Sequence, residues 1–240
     1  MAYIEGKNSI IETINSGNKI KKIFVQTGLK MKELDQILSD IKNNGATIKY
    51  VDKSELDKMS QYKKHKGLIA EVDDYKYSDI YEILDYAKSK NEPPFIIILD
   101  EIEDPHNLGA IVRTADAAGV HGIIIKDRNS CQVNSTVVSS SSGATNYVKI
   151  AKVNNISRAI EELKKNNIWV YATDMDGVDM RDIKFDGAVA LVIGNEGSGI
   201  SRLVREKSDF IVGIPMKGKI NSLNASVAAA ILMYEVVKYR

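Results

Sequence analysis

FIIILDEIEDPHNLGAIVRTADAAGVHGIIIK, residues 95–126, decides the fold. It joins an apolar run, FIIIL, to a helical pattern over 108–119 and then to a second apolar run, GIIIK. Runs of β-branched residues without alternation imply strands covered on both faces, and so parallel strands linked by a crossover helix. Gly119 stands where such a helix needs a residue able to take a left-handed conformation just past its end. Further strands are expected at 147–150, 168–173, 189–193 and 210–214. Helices at 135–142, 156–166, 201–206 and 224–238 are expected to cover them. The reading is an α/β domain with a parallel sheet between helices.

The preceding residues describe a smaller α/β unit. Helices are expected at 8–15, 32–43 and 54–59, and strands at 23–25, 47–51 and 68–72. Residues 73–91 are rich in Asp, Tyr and Lys with one helical stretch over 80–87, and Glu92, Pro93 and Pro94 stiffen the entry to the next strand. The expected division is an N-terminal domain over 1–75, a linker over 76–92 and a C-terminal domain over 93–240.

The chain has 240 residues, 44% of them hydrophobic and 27% charged, which is ordinary globular composition. A single cysteine, Cys131, excludes an intrachain disulfide. The start MAYIEGKNSI lacks a signal-peptide profile, and no apolar run reaches the roughly 20 residues a membrane helix needs. A cytoplasmic protein is expected. Net charge is +1, so any nucleic-acid affinity must come from local clusters. These are Lys19, Lys21 and Lys22; Lys63, Lys64, His65 and Lys66; and Lys217 with Lys219. His65, His106 and His121 are too far apart in sequence for a recognisable metal motif, so each is read as a surface or loop residue and no metal is expected.

Three segments carry glycines and side-chain amides after apolar runs, where a parallel sheet opens its ligand crevice: EIEDPHNLGAIVRTADAAG (101–119), LVIGNEGSGIS (191–201) and IPMKGKINSLNASVAAA (214–230). In the first, Asn107 stands at the N-cap position expected for the helix. Arg113 lies on a helix apolar nearly all round, so its cation must find a partner or point into a polar cavity. A buried ion pair would satisfy it equally. In the second, Gly194, Gly197 and Gly199 allow close backbone approach to a ligand, although a tight turn would account for them too. Glu196 could pair with Arg113. In the third, Ser222 and Asn224 could cap a helix or meet a ligand. That helix is apolar around its full circumference through its first half, so a second subunit is the simplest cover for the side turned from the sheet.

In this order and spacing the three segments resemble the motifs of the SpoU, or TrmH-type, RNA ribose 2'-O-methyltransferases. Residues 126–128, 167–174 and 214–224 look closest to the RlmB-like branch, which methylates guanosine in 23S ribosomal RNA. The resemblance implies a deep trefoil knot (the SPOUT fold) in the C-terminal domain, and an N-terminal RNA-binding domain like a ribosomal protein. It implies a homodimer and S-adenosylmethionine as cofactor, held by Gly194, Ile214 and Leu223 with Thr173 and Asn195 nearby. It places Arg113 as the general base. A guanidinium pKa above about 12 instead favours a clamp on the neighbouring phosphate that lowers the hydroxyl's pKa. Asn107, Glu196, Ser222 and Asn224 complete the catalytic set, fixing the ribose and that arginine.

Three alternatives remain on the sequence alone. A transfer-RNA ribose 2'-O-methyltransferase and a non-catalytic RNA-binding paralogue share these features. A dinucleotide-binding oxidoreductase shares the α/β pattern, but its G-x-G-x-x-G loop is missing.

Overall fold

A computed structural model of the chain describes residues 2–16, 18–30, 34–43, 45–60, 65–219 and 222–240. They form two compact units, one of Met1–Lys76 with Val133–Tyr147, the other of Tyr77–Gln132 with Val148–Arg240.

The first unit runs β1 (Ala2–Glu5), α1 (Lys7–Asn15), β2 (Ile20–Gln26), α2 (Leu34–Asn43), β3 (Thr47–Val51), α3 (Lys53–Met59) and β4 (Leu68–Val72). Its sheet has the order β1-β4-β2-β3, with β4 antiparallel to both neighbours and β2 parallel to β3. One face is closed by α1 and α2 through Ile10, Ile37 and Ile41 packed on Ile4, Ile23, Val25 and Leu68. On the other, Leu56 and Met59 of α3 pack on Phe24, Val51 and Ile69. Lys32, Lys63 and Lys64 lie outside the described residues.

The second unit continues with α4 (Ile80–Ser89), β5 (Phe95–Asp100), α5 (Pro105–Ala117) and β6 (Gly122–Lys126). The stretch read as a linker contains α4, which opens with an Asp79/Glu82 capping box and buries Ile80, Ile83 and Ala87. It is a packed layer of this unit. The chain then supplies α6 (Ser135–Ser140) to the first unit, where it packs on β1 and α1 and places Val138 in that core. The sequence had assigned this helix to the parallel sheet. Its serine-rich faces carry no pattern that selects a partner surface.

The remaining elements are β7 (Lys149–Val153), α7 (Ile156–Lys165), β8 (Trp169–Asp179), β9 (Val189–Gly194), α8 (Arg202–Lys207), β10 (Phe210–Gly213) and α9 (Ala225–Val237). The six-stranded sheet has the order β10-β8-β9-β5-β6-β7, and every pairing is parallel. Ile96, Ile98, Ala190 and Val192 pack with α4, α7 and α8. The alternate residues Ile97, Leu99, Leu191 and Ile193 are equally buried, and α9 covers β9 beside α5. This is the α/β/α sandwich that uninterrupted strands require. No helix among the described residues is long and apolar enough to cross a membrane.

Candidate active site

Because the sheet is parallel, the loops after β5, β8, β9 and β10 leave it at one edge, where open α/β sheets place their ligands. Two departures from regular pairing shape that edge. In β10 against β8, Ile211 lies opposite Ala172 but Val212 lies opposite Val178, so residues 173–177 bulge out of the ladder. Gly177 permits the return, since a Cβ there would sit 2.4 Å from the carbonyl carbon of Val212. After β9 the chain doubles back, with Asn195 N–H donating to Gly199 O at 3.0 Å and Gly199 N–H to Asn195 O at 2.8 Å. Gly194 lies against that turn, where an added Cβ would be 2.5 Å from Gly199 O.

Between the bulge, the glycine turn and the segment after β10 lies a cavity of about 260 Å³. Ile193, Val212, Ile214, Leu223, Ala225 and Ala228 give it apolar walls, and Thr173, Asp174 and the 194–199 turn give it polar ones. Thr173, Gly194, Asn195, Ile214 and Leu223, the five residues the sequence put forward for a cofactor, all line it, as do Glu196 and Ser222. The side chain of Asn195 is committed to the turn, accepting from Gly197 N–H at 2.8 Å and donating to Glu101 O at 2.9 Å.

Beside the cavity, Glu196 organises an amide cluster. Its Oε1 accepts from Asn107 Nδ2 at 2.6 Å, Asn224 Nδ2 at 3.0 Å and Ala225 N–H at 3.3 Å. Asn224 Nδ2 also reaches Asn107 Oδ1 at 2.9 Å, while its own Oδ1 accepts from Ser226 and Val227 N–H. Asn224 is thus both a helix cap and a member of the cluster. Asn107 is not the N-cap of α5. Asp104 takes that place, accepting from His106 N–H at 2.8 Å ahead of Pro105, and Asn107 is the third residue of the first turn with only 6% of its surface exposed.

Arg113 does not pair with Glu196. It is exposed, on the side of α5 that carries the more open Ala110 and Ala117, and no hydrogen bond or ion pair reaches it among the described residues. The alanines that made this helix look apolar all round are small enough to face solvent. The C-terminal helix likewise buries Ala229, Leu232, Met233 and Val236 but leaves Val227 46% and Tyr234 51% exposed.

Arg205 of α8 went unnoticed in the sequence. It donates to both carboxylate oxygens of Asp176 at 2.9 Å and to Asp174, pinning the bulge that walls the cavity. Asp100, 2% exposed, accepts from Ser201 N–H at 2.8 Å and ties the start of α8 to the end of β5. Only two acidic residues inside an apolar strand, Asp174 and Asp176, could have flagged the first arrangement.

His65 and His121 are buried, not on the surface. His65 Nδ1 accepts from Gly67 N–H at 2.9 Å and its Nε2 faces Asp57 at 3.1 Å. His121 Nδ1 accepts from Phe95 N–H at 3.0 Å, which leaves its proton on Nε2 toward Glu92. Burial pushes the His121 pKa below its usual value, and Arg240 nearby adds to this. Among the described residues no three His, Cys, Asp or Glu side chains group to hold a metal.

A parallel α/β sheet with a glycine-walled apolar cavity at its carboxyl edge and a charged amide cluster beside it defines a ligand-binding enzyme scaffold. Comparison with known proteins places it more closely. Residues 94–234 match the SpoU rRNA methylase family, and residues 3–78 match the domain described as RNA 2'-O ribose methyltransferase substrate binding. The chain belongs to the SpoU rRNA methylase family. It is 45% identical over 239 residues to YacO of Bacillus subtilis (strain 168), which is named for the TrmH family of tRNA/rRNA methyltransferases. That alignment covers 99% of this chain and 96% of the relative. Among solved structures, AviRb, a SpoU methyltransferase of Streptomyces viridochromogenes in complex with AdoMet, superposes with a TM-score of 0.83 at 25% identity over 98% of this chain and 89% of its own. The AdoMet-bound rRNA methyltransferase of Sinorhizobium meliloti does so with a TM-score of 0.80 at 25% identity, covering 99% and 87%. The TrmH/SpoU tRNA modifying enzyme of A. aeolicus matches 62% of this chain and 76% of its own, at 32% identity and a TM-score of 0.57.

Proposed function

We propose that this protein transfers the methyl group of S-adenosylmethionine to the ribose 2'-hydroxyl of a guanosine in 23S ribosomal RNA, working as a cytoplasmic homodimer. The observation that carries the reading is that Thr173, Gly194, Asn195, Ile214 and Leu223 line one cavity next to the Asn107–Glu196–Asn224 cluster. The cavity suits the cofactor: its apolar walls accept an adenine ring, and its close-packed glycine turn offers backbone polar groups where a side chain would intrude. The rRNA methyltransferase of Sinorhizobium meliloti matches 99% of the chain, whereas the tRNA modifying enzyme matches 62% of it, which favours ribosomal RNA. The family's trefoil knot would form where the 214–230 segment threads a loop at this edge.

When bound, the cofactor supplies an electrophilic methyl on a sulfonium, whose carbon–sulfur bond breaks as the carbon–oxygen bond to ribose forms. The chain must then hold the 2'-oxygen in line and ease the loss of its proton. Glu196 Oε1 is fully engaged, but its Oε2 has no partner among the described residues and is free to accept from a ribose hydroxyl. Asn107 and Asn224 fix that carboxylate, and Ser222, exposed at the cavity, adds a hydroxyl beside it. Arg113, unpaired six residues along α5 from Asn107, clamps the phosphate next to the target ribose and lowers the hydroxyl's pKa, with the proton leaving to phosphate or solvent. The uncovered sides of α5 and α9, with Val227 and Tyr234 exposed, form the dimer contact.

Mapping 2'-O-methyl groups on total RNA from cells with and without the gene tests the proposal. One guanosine of 23S RNA should lose its methyl group in the deletion strain. Loss from a transfer RNA would redirect the substrate, and an unchanged map would refute the activity.

A further inference from the structure

Among the described residues, one end of a face of the first unit's sheet is left uncovered. Strand registers set Tyr3 opposite Glu71, Glu71 opposite Lys22 and Lys22 opposite Thr47, so these four form one row across β1, β4, β2 and β3. Two residues along, Glu5, Ile69, Phe24 and Lys49 form the next row on the same face. Helix α3 closes that second row and Val51 in the row beyond it, packing Leu56 and Met59 on Phe24, Ile69 and Val51, while Ser60 Oγ donates to Glu5 at 2.6 Å. Among the described residues nothing covers the first row.

What the open row offers is specific. Tyr3 is 37% exposed and meets Phe24 edge to face, with centroids 6.3 Å apart. Lys22 and Lys49 each hold their ammonium 5.8 Å from the Phe24 ring, so positive charge borders the aromatic pair. Exposed aromatic rings on a sheet flanked by cations are how proteins take unpaired nucleotides, with the base stacked on a ring and the backbone met by lysine. We propose that this face binds an unpaired nucleotide of the substrate RNA, with Tyr3 as the stacking platform and Lys22 against a phosphate. Glu71, between them, accepts from base amino groups and repels phosphate, which turns the base inward. The inference rests on the RNA-methylating reading and names the surface on which the first unit would carry out substrate binding.

The test measures binding of a single-stranded RNA oligonucleotide to the full chain and to Tyr3→Ala, Tyr3→Phe and Lys22→Glu, with S-adenosylmethionine binding measured on each. Tyr3→Ala should weaken RNA binding about tenfold, as stacking losses do, and Tyr3→Phe should restore it. Lys22→Glu, at a half-buried surface site that does not support the core, should weaken binding and flatten its salt dependence. RNA affinity unchanged in both Tyr3→Ala and Lys22→Glu, while the wild type binds cofactor and RNA, would overturn this surface and leave the enzyme assignment intact. A wild type that takes up neither ligand would instead fail the functional proposal itself.

Discussion

Asn107 Nδ2 donates to Glu196 Oε1 at 2.6 Å, joining the first turn of α5 to the loop after β9 across 89 residues of sequence. The bond makes the two motifs one device, because the same oxygen also holds Asn224 and the start of α9. Glu196→Ala and Asn107→Ala should each lower methyl transfer on the order of a hundredfold, the cost of misplacing a reacting group. The double variant should cost far less than the product of the two, since residues in one network are not additive. Steady-state rates of the three variants check this.

Arg113→Ala should abolish methyl transfer while leaving cofactor affinity as in the wild type, because the residue touches neither the cavity walls nor the Glu196 cluster. Arg113→Lys should not restore the rate if a planar fork on phosphate is what the reaction uses. Labelled-methyl transfer alongside cofactor titration separates the two effects.

Arg205→Ala should loosen the 173–177 bulge. The pair with Asp176 is solvent-exposed and screened, so its loss loosens the wall only modestly and cofactor affinity should fall up to about fivefold. Catalysis at saturating cofactor should change little. A Kd and kcat measured together check the assignment of Arg205 to the wall and not to the chemistry.

His121 should make stability depend on pH. Its folded pKa lies below the ordinary 6.5, so the unfolded chain binds the proton more readily as pH falls through that range. The stabilisation is complete above 6.5 and is lost as pH drops toward the folded value. Protonation would also remove the Nδ1 acceptor from Phe95 N–H, within reach of Arg240 and Lys90 and opposed only by Glu92. His121→Gln keeps an acceptor without the titration. Its Tm should decline less than the wild type's between about pH 7.5 and about pH 5.

Much of this fold is legible in the sequence because Ile-rich runs such as residues 95–99 and 122–126 can only be strands covered on both faces. The glycine turn is equally plain, since three glycines in 194–199 mark close backbone packing whatever the ligand. What the sequence does not disclose depends on partners distant in the chain. Asp104 and Asn107 are both good caps, and only Pro105 at the first helical position decides between them. Alanine does not record which way it faces, so the exposed stripe bearing Arg113 reads as core. Four residues are too few to announce β1, and nothing in SSSS (139–142) reveals that the segment serves the first unit.

The proposed cofactor site is the cavity between the 173–177 bulge and the 194–199 turn. Calorimetric titration of S-adenosylmethionine into the wild type and Gly194→Ala tests it directly, because a Cβ at Gly194 would meet Gly199 O at 2.5 Å and close the turn against the ligand. The predicted result is saturable binding of one cofactor per chain in the wild type, lost or greatly weakened in the folded variant. No saturable binding to the wild type, or equal affinity in both proteins, would contradict it.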